Sequence, residues 1–317
     1  MEKSLLITGA AGFIGFHLAR AAKMRGDRVV GLDNFNSYYD PKLKEMRALL
    51  LKQEGIEVIH GDICDEALLE KTAKSHAVTH IAHLAAQAGV RYSLENPKAY
   101  VKSNIEGFLN VLEVCRRQNL KLVYASSSSV YGMNEKVPFS EIDRVDLQAS
   151  LYGATKKSNE LFAATYHHLF NISATGLRYF TVYGPWGRPD MAYYSFTQKI
   201  LNGDPIKVFN HGKMLRDFTY IDDIVRGTLA AIDKECACEV FNLGNHRPTE
   251  LRKFIEIIEK AVGKKAKMEF LPMQPGDVPA TFADISHSQK SLGFEPKTSL
   301  ETGIPLFVEW FNFFKKN

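Results

Sequence analysis

Cysteine is scarce in this 317-residue chain, and its four positions form no disulfide framework and no zinc ribbon. Cys236-Ala-Cys238 is the one close pair beside Cys64 and Cys115. No second cluster of ligands accompanies it, so reduced, buried thiols and no metal are expected. Charge of one sign is also lacking: the net +4 comes from 40 basic and 36 acidic residues, well interspersed. That is too mild for a nucleic-acid-binding surface, yet it leaves room for a local basic pocket. No apolar run approaches the roughly 18 residues of a membrane span. No signal peptide precedes the strand-like Ser4–Thr8, so a soluble, cytoplasmic protein is expected, without membrane or nucleic-acid partners. Repeats and low-complexity linkers are missing too. The last shortage is local. YASSSSVYG, residues 124–132, sets four hydroxyls in a row and no acid directly before a Tyr-Gly pair.

What is present is alternation. Strand-like runs at 3–8, 28–33, 56–60, 79–84, 120–126 and 172–178 alternate with helical patterns near 13–25, 40–53, 65–75, 96–118 and 151–169. Continuously apolar strands between helices predict a parallel sheet covered on both faces. Right-handed crossovers then give a doubly wound Rossmann α/β fold, with ligands at the carboxyl ends of the strands. Beyond residue 180 the pattern loosens. Residues 183–218 are rich in Gly, Pro and aromatics, 264–299 mix short strands with turns, and helices are expected near 222–233, 249–262 and 300–314. The expected division is a dinucleotide-binding domain over 1–180, with parts of about 219–245 crossing back, and a smaller C-terminal α/β substrate-binding lobe over 181–317. An active-site cleft lies between them.

Thr8-Gly9-Ala10-Ala11-Gly12-Phe13-Ile14-Gly15 joins the first strand to the first helix. Gly9 suits the tight turn, Gly12 the close approach of backbone to a pyrophosphate, and Gly15 tight helix–strand packing. Asp33 ends the second strand, where a carboxylate accepts from both ribose hydroxyls. Asp33-Asn34-Phe35 has no adjacent arginine for a 2′-phosphate, and the carboxylate repels one, so NAD is expected over NADP. Asp62-Ile63 suits an adenine contact, and Leu84-Ala85-Ala86 supply small residues beside the cofactor.

Tyr152-Gly-Ala-Thr-Lys156 opens a predicted helix, so its two ends lie one turn apart on one face. A phenol with a pKa near 10 is a poor base at neutral pH. A neighbouring Lys⁺ favours phenolate and brings the pKa toward the working range. Ser127 stands at the end of the preceding strand. Strand-end hydroxyl, Tyr-x-x-x-Lys and an N-terminal glycine turn together make a specific signal.

With these motifs, and with LDNF, HLAAQAG, SSSSVYG and RYFTVYGP, the whole chain resembles the extended short-chain dehydrogenase/reductases, the nucleotide-sugar epimerases and dehydratases. Gly184-Pro-Trp-Gly-Arg-Pro-Asp-Met-Ala192 resembles the UDP-glucuronate 4-epimerase type among them. That resemblance implies a tightly held NAD and an isomerase carrying UDP-glucuronate to UDP-galacturonate through a 4-keto sugar. It implies Tyr152 as base, Lys156 as nicotinamide-ribose ligand and Ser127 as partner of the 4-oxygen, with Phe13, Ile14, Asn104 and Phe180 also at the cofactor. Related dehydratases and decarboxylases carry acids where this chain has Ser128 and Ser129. Hydroxyls there disfavour elimination and can meet a sugar carboxylate without repelling it. Thr181 and Arg188 are the implied carboxylate contacts. Arg216 and, in second place, Arg91 are implied at the diphosphate, Lys207, Val208 and Phe209 over uracil, and Asp277 at the uridine ribose. Gln274 stands where many relatives have an arginine. Rival readings are a UDP-glucose or UDP-N-acetylglucosamine 4-epimerase and, in another class, a non-catalytic NAD-sensing or RNA-associated regulator. A homodimer through helices near 96–118 and 151–169 is implied as well.

Overall fold

The computed structural model describes residues 3–273 and 279–316. Strand β1 (Ser4–Thr8) is buried along its whole length, as its apolar centre Leu5–Ile7 requires of a strand between two helix layers. Helix α1 (Phe13–Met24) follows, then β2 (Arg28–Asp33), α2 (Lys42–Gln53), β3 (Glu57–His60), α3 (Glu66–Ser75) and β4 (His80–His83). Single turns α4 (Tyr92–Glu95) and α5 (Pro97–Tyr100) lead into a π-helical segment, Val101–Glu106, and α6 (Gly107–Gln118). Then come β5 (Lys121–Ser127), the long α7 (Leu151–Phe170) and β6 (Ala174–Tyr179).

These strands pair in parallel in the order β6-β5-β4-β1-β2-β3, and β10 (Cys238–Leu243) adds a seventh strand beside β6. Before β10 the chain forms β7 (Thr181–Tyr183), α8 (Ala192–Asn202), β8 (Pro205–Phe209), β9 (Leu215–Tyr220) and α9 (Ile221–Lys234). After it come β11 (Pro248–Glu250), α10 (Leu251–Val262), β12 (Lys267–Leu271), β13 (Ala280–Thr281), α11 (Ser286–Leu292) and α12 (Leu300–Lys316). The doubly wound expectation holds. The order reverses between β1 and β4, and a crevice opens there beyond the carboxyl ends. One apolar cluster packs α1, α9 and α12 on one face, and a second packs α3, α6 and α7 on the other.

Two expectations need correction. The helix expected over 96–118 is interrupted by the π segment, where the Asn159 side chain donates to the Asn104 carbonyl at 2.6 Å. Residues 192–202, where no helix was expected, form the regular helix α8. Beyond the main sheet, β11, β9, β13 and β7 form one small sheet and β12 and β8 another. Among the described residues no helix is long and apolar enough to cross a membrane.

Candidate active site

The glycine turn is built by close backbone approach. Gly9 has φ +73, and a Cβ on it would lie 2.7 Å from the Ala85 amide nitrogen. A Cβ on Gly15 would meet the Gly9 carbonyl oxygen at 2.1 Å. Helix α1 starts without a side-chain cap and without an acid in its first turn, so its N-terminal donors remain available to an anion. The Asp33 carboxylate accepts from the backbone N–H of Ala11 (3.0 Å) and of Phe35 (2.9 Å), which fixes it beside the turn. Burial pushes its pKa up, against these two donors and the nearby cations Lys44 and Arg47.

One cavity runs from Asp33, Asn34 and Ile63 past Gly9, Gly12, Phe13, Ile14 and Gly15 to Leu84, Ala85, Ala86 and Phe180, and on to Ser127, Tyr152, Lys156 and Arg188. Its length, the glycine floor and the helix N-terminus suit an extended dinucleotide. Asp62 and Asn104 lie behind the wall. Asp62 accepts from Asn34 Nδ2 at 2.8 Å, and Asn104 clamps Gln87 by accepting from its N–H (2.8 Å) and donating to its carbonyl (3.0 Å). Sequence reasoning missed Lys44, whose ammonium donates to Asn36 and lines the cavity. A cation therefore does stand near Asp33, brought by α2 rather than by an adjacent residue. The case against a 2′-phosphate then rests on the carboxylate alone.

Ser150 caps α7 by accepting from Gly153 N–H at 3.0 Å, which starts the helix one residue before Tyr152. Tyr152 is half-buried and lines the cavity. Burial raises its pKa, while the Ser127 hydroxyl and the Arg188 guanidinium lower it. Arg188 is a second cation near the phenol, which the sequence did not place there. Lys156 is 1% exposed, donates to the Ala125 carbonyl at 2.8 Å, and is pushed down to about 8 by desolvation. Ser126 is satisfied by Glu160 (2.7 Å), itself paired with Arg178. Ser127 accepts from Ser129 N–H at 3.1 Å. Ser128 and Ser129 begin the short 3₁₀ turn Ser128–Tyr131, half-buried, and neither lines the cavity.

Arg188 reaches the cavity on a loop pinned from several sides. Trp186, at φ +60, packs between Phe16 (5.5 Å) and Trp310 (5.2 Å). His17 Nε2 lies 2.9 Å from the Pro185 carbonyl. The fully buried Arg47 donates to the carbonyls of Trp186, Gly187 and Ala11. The Arg188 fork is engaged by a carboxylate of its own loop: Nε to Asp190 Oδ1 at 3.0 Å and Nη2 to Oδ2 at 2.5 Å. That pairing was not legible in the sequence.

The other expected contacts are dispersed. Thr181 is half-buried at the start of β7, outside the cavity lining. Val208 is 0% exposed and faces the core, while strand alternation turns its neighbours Lys207 and Phe209 outward. Arg91 lies over the Phe209 ring at 5.2 Å, so a residue following β4 meets one ending β8. Arg216 is half-buried and donates to the Leu215 carbonyl at 2.8 Å. Asp277 and Gln274 lie outside the described residues. All four cysteines are free, Cys64 and Cys238 half-buried, Cys115 and Cys236 buried.

A crevice lined by a glycine turn and a helix N-terminus at one end and by Ser127, Tyr152 and the buried Lys156 at the other has the form of a dinucleotide-dependent enzyme site. The chain belongs to the NAD dependent epimerase/dehydratase family, whose model matches residues 5–244. It is 53% identical to UDP-glucuronate 4-epimerase 4 of Arabidopsis thaliana, over 97% of this chain and 75% of that one. It superposes with a TM-score of 0.92 on the UDP-glucuronic acid 4-epimerase of Bacillus cereus, solved with UDP-glucuronic acid and NAD, at 37% identity over 98% and 99% of the two chains. UDP-glucose 4-epimerase of Thermotoga maritima, solved with UDP-glucose, gives 0.90 at 32% identity over 98% and 99%.

Proposed function

We propose that the protein is an NAD-dependent isomerase that interconverts UDP-glucuronate and UDP-galacturonate through a transient 4-keto sugar. In this reading NAD lies along Gly9–Gly15, with Asp33 at its adenine ribose and Lys156 at its nicotinamide ribose, and supplies the acceptor and donor of the C4 hydride. Tyr152 takes the 4-hydroxyl proton and later returns it. Ser127 hydrogen-bonds the 4-oxygen. The keto sugar then turns its other face before the hydride comes back. Ser128, Ser129, Thr181 and Arg188 serve the carboxylate end of the sugar, Arg216 and Arg91 the diphosphate, and Lys207 and Phe209 the uracil. Residues 3–180, with about 219–245, hold the cofactor, and the remainder of the chain holds the sugar nucleotide. A cytoplasmic homodimer through α6 and α7 belongs to the same reading; Leu109 and Leu161 on these helices are 39% and 56% exposed.

The observation that carries the reading is Arg188 in the same cavity as Tyr152, beside a strand end that offers hydroxyls and no acid. A hydroxyl of ordinary acidity removes no proton from C5 at a useful rate, so the site is equipped for hydride and C4 proton transfer and not for elimination. The names of the relatives point the same way. A second reading, UDP-glucose 4-epimerase, is favoured by the Arg188–Asp190 pair, which brings no net charge to the sugar. The test is incubation of the purified enzyme with a panel of UDP-sugars and NMR identification of products. UDP-galacturonate from UDP-glucuronate is expected as the fastest conversion, and faster turnover of UDP-glucose transfers the assignment to the second reading.

A further inference from the structure

We propose that Asp190, seated by Tyr38, is a positioning residue that fixes which edge of the Arg188 guanidinium meets the sugar. The inference rests on the reading above, in which Arg188 answers a carboxylate on the substrate. A guanidinium offers two edges that take a carboxylate through parallel bonds, Nε with Nη2 and Nη1 with Nη2. Asp190 closes the first through bonds of 3.0 and 2.5 Å. The Tyr38 hydroxyl adds a third bond, to Oδ2 at 3.1 Å, and the Tyr38 ring packs on Tyr92 at 4.9 Å. Tyr38 belongs to the segment that leaves β2 after Asp33 and Asn34, so the stretch beside the cofactor ribose also seats Asp190. Gly89 makes room for it, because a Cβ there would stand 2.4 Å from the Tyr38 oxygen.

An incoming carboxylate could displace Asp190 or bind beside it. Displacement breaks all three bonds, whereas meeting the Nη1 edge breaks none. The second arrangement is the one this geometry favours. It has a consequence for recognition. Because Arg188 and Asp190 cancel in charge, the sugar carboxylate is selected by directed N–H bonds from one held edge and not by net positive potential. Lysine at position 188 has no such edge to offer.

Asp190→Asn and Tyr38→Phe test this with two readouts. With UDP-glucuronate, Asp190→Asn should raise KM about tenfold or more, at least five times the change seen with UDP-glucose, while kcat moves less than KM. Tyr38→Phe, which keeps the ring and the charge, should move the same ratio about threefold. The second readout needs no substrate: the Arg188 Nε–H, assigned in the NMR spectrum by its loss in Arg188→Lys, should be protected from solvent exchange in the wild type and lose that protection in Asp190→Asn. A lower KM for UDP-glucuronate in Asp190→Asn would make Asp190 a competitor that steps aside, and unaltered exchange protection would show that it holds nothing; either overturns the proposal. If wild-type enzyme ignores UDP-glucuronate, the functional reading fails, and the exchange measurement alone then decides the role of Asp190.

Discussion

Tyr152 is poised by opposing effects: burial favours the phenol, while Ser127 and Arg188 favour the phenolate. Tyr152→Phe should lower turnover by about 10² or more, the usual scale for a general acid–base group. The NAD released on denaturation should be unchanged, because the ring remains; near-normal turnover in this variant would remove Tyr152 from the role. His83 gives a prediction of another kind. It is 1% exposed, its Nδ1 lies 2.8 Å from Thr8 Oγ1, and desolvation pushes it down to about 3 from an ordinary 6.5. Between those values the unfolded chain binds a proton that the folded protein refuses, so its contribution to stability is lost as pH falls from 6.5 toward 3. The slope approaches about 1.4 kcal/mol per pH unit. His83→Gln should flatten urea-derived stability between pH 6 and 4.5 by about that much, and an unchanged slope would contradict the buried neutral imidazole. Residues in short local motifs, Gly9 to Gly15, Tyr152 and Lys156, could be read from spacing alone. Lys44, Tyr38 and Asp190 could not, because their partners are set by tertiary packing; the only hint was the dense aromatic and polar run NFNSYYDPKLK.

Among the elements, the loop between β7 and α8 depends most on distant support. Arg47 ties its Trp186 and Gly187 carbonyls to the Ala11 carbonyl of the glycine turn, from a fully buried position on α2. Arg47→Met leaves those acceptors unpaired and should cost about 3 kcal/mol or more in urea unfolding. It should also raise KM for the sugar nucleotide, since Arg188 rides on the same loop; a variant with unaltered stability and KM would show that the loop holds itself. Parallel strands were legible because burial on both faces favours a largely apolar run, as in Leu5–Ile7 of β1, although β6, also buried throughout, carries Thr175 and the Glu160-paired Arg178. The π segment was hidden, because an Asn104 carbonyl taken by Asn159 leaves no trace in helical periodicity. Helix α8 was obscured by the Gly and Pro just ahead of it.

At the scale of the molecule, sequence alternation revealed six of the seven strands of the main sheet; β10, which follows α9, lies beyond residue 180, where the pattern loosens. Which C-terminal segment faces the cleft depended on packing that no local pattern records, as Val208 illustrates. If α6 and α7 form the dimer contact, Leu161→Glu should convert a two-chain mass in light scattering to one chain, with folding intact; a wild type already of single-chain mass would end that assignment. In the proposed reaction one hydride leaves C4 and returns to it within a single site, on a sugar that bears a carboxylate. UDP-glucuronate deuterated at C4 tests this most directly, followed by NMR in ordinary water. UDP-galacturonate with deuterium still at C4, and no net accumulation of NADH, is the expected result. Deuterium lost to solvent, or a product formed with release of carbon dioxide, would contradict it.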